Sequence, residues 1–270
     1  MTSQTIRTFS AASAVAVLLM AWSPMAPGAA VVVADEGQAR QLLKAMTDYV
    51  GSQQSISFEY DANLEVVTKD RQRLALVSSG TVSLARPDKI FATRSGGFVN
   101  IETVFDGKTL TLLGRNKNVY TQVEIPGSID HLIDELQHKY DRPLPAADLL
   151  LTDAYEGLMA AVVDVKDLGS GVIGGTECDY LAFRTEEVDA QLWIAQGARP
   201  YPCRYVITSK RVPDGPQYSI QIRNWKAGGP VNTAAFGFKA PPGATRIELA
   251  ELQKMKNMGE LPSHFILGGQ

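Results

Sequence analysis

The chain has 270 residues, 45% of them hydrophobic and 20% charged, with 26 basic against 29 acidic side chains. That is the composition of a soluble globular protein. With no basic run and no interleaving of aromatic and basic residues, it argues against nucleic acid as a partner.

The first residues are set apart from the rest. Arg7, the apolar run Ala11 to Trp22 and the small residues from Ala26 to Ala30 predict a secretory signal peptide over residues 1–30. Cleavage after Ala30 or after Ala34 fits equally well. The apolar run is short for a membrane span, which makes a retained anchor the weaker reading. No cysteine precedes Cys178, so a new N-terminus offers no acceptor for a lipid. Losing the leader removes only Arg7 from the charges, leaving 25 basic against 29 acidic residues, a net of −4. Two cysteines in an exported chain predict one disulfide, Cys178–Cys203. If one strand lies strictly between them, the two are about 9.6 Å apart, two spacings of roughly 4.8 Å, while a bridge needs Cα atoms within about 7 Å.

Asp35 to Val50 has helical periodicity, with Ala39, Leu42, Leu43, Met46 and Val50 on one face and Gly51 as a stop. The next stretch organises the chain. Ile56, Phe58, Tyr60, Ala62, Leu64 and Val66 alternate with Ser57, Glu59, Asp61, Asn63 and Glu65, the pattern of a long strand with one buried face. Leu74, Leu76, Gly80, Val82 and Leu84 repeat it, with Gly80 a bulge or bend. Strands follow at Ile90 to Arg94, Phe98 to Phe105, Thr109 to Leu113 and Val119 to Ile125, and the Asp106-Gly107 pair marks a hairpin. Connections this short make neighbouring strands antiparallel. Ser128 caps a helix with Ile129, Leu132, Ile133, Leu136 and Tyr140 on one face, and two shorter helical pieces complete an insert over residues 128–161. A second set of strands covers Val162 to Leu168, Thr176 to Arg184, Val188 to Ala195, Cys203 to Lys210 and Gln217 to Trp225. Residues 35–247 read as one domain, and 248–270 as a C-terminal helix or tail.

Chemistry-bearing motifs are sparse. Gly169-Ser170-Gly171-Val172-Ile173-Gly174 has dinucleotide-loop spacing, but a strand rather than a helix follows it, so it reads as a turn. His131, Glu135 and His138 share a helix face opposite the apolar stripe, which reads as a solvated surface rather than a metal site. Asp106, Asp141, Asp153 and Glu177 stand beside turns or strand starts, where structural carboxylates sit. No serine or cysteine occurs in a nucleophile arrangement. No catalytic residue, metal or cofactor is expected.

Several segments resemble a known family. They are Ala85-Arg86-Pro87-Asp88-Lys89, Phe105-Asp106-Gly107-Lys108-Thr109-Leu110, Cys178 to Arg184, Gln191-Leu192-Trp193-Ile194 and Phe236 to Ala244. Together they are similar to an uncharacterised family of bacterial predicted periplasmic proteins, related to the LolA/LolB-like superfamily of lipoprotein carriers. The resemblance implies periplasmic localisation and an α+β, mainly β fold: a strongly curved antiparallel sheet, an unclosed β-barrel whose concave face is covered by helices. It also implies a non-enzymatic binding or transfer protein for a lipid, a lipoprotein acyl chain or another apolar ligand. The alternative is an envelope-sensing module that takes a peptide or partner protein in the same groove. The expected cavity lining is Phe58, Tyr60, Leu64, Val66, Leu76, Val82, Ile101, Leu112 and Trp193.

Overall fold

The computed structural model describes residues 36–97, 99–140, 147–230, 236–249 and 251. The expected signal peptide and most of the C-terminal tail, with Asp141 and His264, lie outside the described residues. Helix α1 (Glu36–Ser52) buries Ala39, Leu43, Met46 and Val50, one helical stripe. Its outer face carries the i,i+4 pairs Glu36–Arg40 and Asp48–Lys44. Gly51 does not end the helix. A Cβ there would stand 2.5 Å from the Thr152 carbonyl oxygen, so the glycine serves close packing.

The first meander is β1 (Ser55–Val67), β2 (Arg73–Ala85), β3 (Lys89–Gly96), β4 (Asn100–Phe105), β5 (Thr109–Gly114) and β6 (Val119–Glu124). The insert follows as α2 (Ile129–His138), a 3-10 turn (Ala147–Leu150) and α3 (Ala154–Met159). Ser128 caps α2 as expected, its Oγ accepting from the His131 N–H at 3.2 Å. The second meander is β7 (Asp164–Ile173), β8 (Thr176–Arg184), β9 (Val188–Ala195), β10 (Pro202–Ser209) and β11 (Gln217–Ala227), with a short β12 (Thr245–Arg246).

All twelve strands form one sheet in the order β12-β6-β5-β4-β3-β2-β1-β11-β10-β9-β8-β7. The two meanders meet where β1 pairs antiparallel with β11. Among the described residues only β12 runs parallel to its neighbour, β6. Among the described residues β7 and β12 are the two edges and do not pair, so the curved sheet stays an unclosed barrel.

Helices cover one end of the concave face. Ala39, Leu43, Met46 and Val50 of α1 pack with Ile129, Ile133 and Leu149 of the insert against Ile56, Phe58, Leu84, Leu181, Leu192 and Ile194. Leu132 of α2 closes a second cluster with Phe105, Leu110 and Ile125. On the opposite face the C-terminal segment covers β6, where the Phe238 ring lies 5.1 Å from that of Tyr120.

Two glycine readings change. The pairing of β2 with β1 and β3 is unbroken at Gly80, so there is no bulge. A Cβ at Gly80 would run into the Thr93 carbonyl oxygen and the Tyr60 ring, and the glycine is required by that approach. Gly169 to Gly171 do not form a turn either. They continue β7 across a register shift between Asp167 and Ser170, and the hairpin turn is Gly174-Gly175, both at positive φ.

The expected Cys178–Cys203 disulfide is not formed; both are buried free thiols. Strand β9 runs between them, and Ala195 pairs with Cys178. The two thiols still share one buried cluster with Ala195 and interact with each other, and each also donates to a backbone carbonyl, Cys178 Sγ to Thr176 at 3.4 Å and Cys203 Sγ to Tyr201 at 3.9 Å. Burial raises the pKa of both thiols.

Candidate functional site

Strand register decides which side chains share the concave face. Directly paired residues point the same way, so Phe58 sits with Val82, Tyr60 with Gly80 and Leu64 with Leu76. Following the rows across β3 and β4 adds Arg94 and Ile101 beside Gly80, and Thr103 and Leu112 beside Val82. In the other direction Leu64 meets Tyr218, which meets Ile207. Phe58, Tyr60, Leu64, Val66, Leu76, Val82, Ile101 and Leu112 are thereby brought onto one face.

Trp193 is not among them. It pairs with Tyr180 and Arg204, on the opposite face. Its ring stacks on Tyr180 at 4.3 Å, and the Arg204 guanidinium lies 5.8 Å from its centroid. Alternation within β9 carries the signal: Ala190, Leu192 and Ile194 are the buried phase, and Trp193 falls between them.

Burial changes along β1. Ile56 and Phe58, under the helices, are 1% and 6% exposed. Phe58 is filled core: its ring stacks on Trp225 at 5.5 Å, and Trp225 stacks on Tyr201 at 5.2 Å. Beyond Ala62 the same face opens. Leu64, Val66, Leu74, Leu76, Ile207 and Tyr218 are only half-buried, as are Tyr60, Val82, Ile101 and Leu112 on the flanking rows. The result is a contiguous apolar strip that begins where the helical cover stops.

The polar groups on this strip are few. Tyr60 donates its hydroxyl to the Thr93 carbonyl at 2.9 Å. Burial pushes its pKa up to about 12, and the charge of Arg94 works against that rise. Tyr218 is raised by burial with the same opposing influence. Arg94 donates from Nε to Ser78 Oγ at 3.2 Å, and Ser78 is 6% exposed. Over the helix-covered part, Asp148 of the 3-10 turn accepts from the Leu149 N–H at 3.2 Å, and burial raises its pKa. Arg94, Ile207 and Asp148 are not singled out by the sequence, whereas Tyr218 belongs to the aromatic second set, for which the sequence offers core packing or cavity lining. Arg94 had a signal, since it is in phase with Ile90 and Ala92; Tyr218 and Ile207 reach the strip only through the non-local β1–β11 pairing.

The other candidate groups have structural surroundings. Asp106 Oδ1 accepts from the backbone N–H groups of Lys108 and Thr109 at 3.0 and 2.8 Å, closing the hairpin. His138 and Asp134 pair on the exposed side of α2 at 3.1 Å. Among the described residues no group of three or more His, Cys, Asp or Glu side chains is placed to hold a metal ion. No helix among them is long and apolar enough to cross a membrane.

Solved structures with related outlines share little sequence. LprF from Mycobacterium bovis is 14% identical, with 78% of this chain and 99% of that chain covered and a TM-score of 0.47. The MucA/MucB complex from Pseudomonas aeruginosa gives 12% identity, 75% and 62% coverage and a TM-score of 0.43. A LolA superfamily protein from Nitrosomonas europaea gives 11%, 74% and 97%, and 0.36. No curated protein sequence matches the chain. The family described as "Predicted periplasmic protein (DUF2092)" matches residues 39–250, and with most of its length inside that match the chain belongs to this family of periplasmic proteins.

Proposed function

We propose that the protein is a non-enzymatic periplasmic carrier or binding protein that takes a lipid or acyl chain against the open part of its concave face. The observation that carries this reading is the half-buried apolar strip of Tyr60, Leu64, Val66, Leu76 and Tyr218. Fully burying one such side chain is worth about 1.5–3 kcal/mol. Side chains left partly in water forgo part of that gain, and an acyl chain laid along them recovers it.

The test is a titration of the purified mature protein with a fluorescent fatty acid, with thermal melts alongside. Leu64→Asn keeps the approximate size of the side chain but places an amide in the strip. Because Leu64 is half-buried, the fold survives this change with a modest loss, while acyl-chain affinity falls about tenfold, roughly the 1.4 kcal/mol of a partly lost apolar contact. No binding by the wild type, or a variant that unfolds as a core substitution would, contradicts the reading. Mass spectrometry of organic extracts provides the matching check on the native ligand. An extract without lipid, from protein that co-purifies with a peptide in the same groove, supports the partner-binding alternative.

A further inference from the structure

The 3-10 turn of the insert brings an acidic side chain to the place where the apolar strip begins. Leu149 of that turn is 2% exposed, in the cluster that holds Leu192, Tyr205 and Ile220. The charge of Asp148 raises the pKa of the buried Tyr205 hydroxyl. Tyr205 stands in the row Leu192, Tyr205, Ile220 and Ala62, and the next row is Ala190, Ile207, Tyr218, Leu64 and Leu76. Asp148 therefore lies over the inner end of the strip.

Its surroundings hold no counter-charge. Among the described residues the Asp148 carboxylate accepts only backbone N–H groups, its own and that of Leu149. The registers of β1 to β11 put one described cationic side chain in the inward phase, Arg94. Arg94 is already engaged, its Nε donating to Ser78, and its charge acts on Tyr60 and Tyr218 rather than on Asp148. On the other flank Asp167 and Asp179 also take the inward phase. Their Oδ1 atoms accept from the Gly169 N–H and from Gln196 Nε2, both at 2.8 Å. These carboxylates add negative potential instead of neutralising Asp148. Burial raises the Asp148 pKa, as it does for a carboxylate whose charge is unpaired. Such a group costs stability where it stands, and costs of this kind collect at binding sites.

We propose that Asp148 receives the ammonium head of a single-chain amphiphile, a long-chain primary amine, whose tail lies along Ile207, Tyr218, Leu64 and Leu76. This inference rests on the apolar-ligand reading above and narrows it to a cationic head. Charge complementarity chooses the occupant. An ammonium brings three donors and the missing positive charge, and pairing relieves the penalty of a lone buried carboxylate. An alcohol gains the strip and one neutral hydrogen bond. A fatty carboxylate meets Asp148 with like charge, in a place where solvent screens poorly.

The experiment loads the mature protein with a neutral fluorescent probe, the methyl ester of cis-parinaric acid, and displaces it with dodecylamine, dodecanol or dodecanoate. It is run at about pH 8, where the amine is protonated, on wild type and Asp148→Asn. Wild type is expected to bind the amine about tenfold more tightly than the alcohol, the factor of roughly one charge-assisted bond. Dodecanoate should bind more weakly than the alcohol. Asp148→Asn removes a buried charge and keeps the size of the side chain, so the variant folds. It should bring the amine down to the affinity of the alcohol and leave the alcohol unchanged. Equal binding of amine and alcohol by the wild type, a preference for the carboxylate, or an amine preference that survives Asp148→Asn overturns the inference and leaves the carrier reading standing. Absence of binding by the neutral probe and all three competitors overturns the carrier reading itself.

Discussion

Arg86 is the side chain on which the helical cover depends. It is 8% exposed and donates to the Leu150 carbonyl at 2.6 Å and the Gln53 carbonyl at 3.1 Å, with Asp130 3.8 Å away. These partners belong to the end of α1, the 3-10 turn and α2, so one guanidinium ties the insert to the sheet. Burial lowers its pKa and Asp130 offsets part of that effect. Arg86→Ala is expected to cost about 3 kcal/mol or more in urea denaturation, because buried carbonyls lose their charged donor. Arg115→Ala, which breaks the surface pair with Glu102, should cost about 0–1 kcal/mol. Equal losses would contradict this assignment. In the sequence Arg86 is legible only as part of a strand-breaking Arg86-Pro87 pair. Its role depends on three segments far apart in the chain, and no local pattern encodes their meeting. Asp106-Gly107 is the opposite case. The turn needs positive φ at Gly107 and acceptors at Asp106, both local demands, and the structure has both.

Strands and helices follow the sequence wherever their periodicity is clean. The alternation from Ile56 to Val66 becomes β1 of 13 residues, and the stripe from Ala39 to Val50 becomes the buried face of α1. Departures occur where a glycine serves two purposes. Gly51 and Gly80 satisfy close approaches from distant segments, which look like stops or bulges when read locally. Trp193 follows the alternation of its strand, not its aromatic character, and so lies on the opposite face. The 3-10 turn makes a prediction at this scale. Asp148 has a folded pKa raised above its ordinary value of 3.8, so its folded form favours the protonated carboxyl. Its penalty is absent below that ordinary value, grows as pH rises through the interval up to the raised folded pKa, and is full above it. Asp148→Asn, neutral at every pH, should therefore raise the urea midpoint at pH 7, with the gain shrinking as pH is lowered toward 3.8. A gain independent of pH, or a loss at pH 7, would show that the carboxylate is stabilised in place.

For the whole molecule, the two meanders were readable because turn residues and alternation are local. Their union through β1 and β11 was not, since it pairs segments about 160 positions apart, Ile56 with Ala227 and Leu64 with Tyr218. Nor was the parallel strand β12 beside β6. That union creates the strip: Leu64 and Tyr218 become neighbours only when the second meander docks on the first strand. The helices then close one end of the concave face, packing Phe58 into the core, and leave the other end apolar and half-wet. The proposed carrier function rests on this unequal cover. The most direct measurement is photocross-linking with a diazirine-bearing fatty acid, followed by peptide mass spectrometry of the labelled sites. The account predicts attachment on the concave face, at Leu64, Leu76, Ile207 and Tyr218. Labelling confined to the opposite face, at Trp193 or Val77, or no labelling at all, would contradict it.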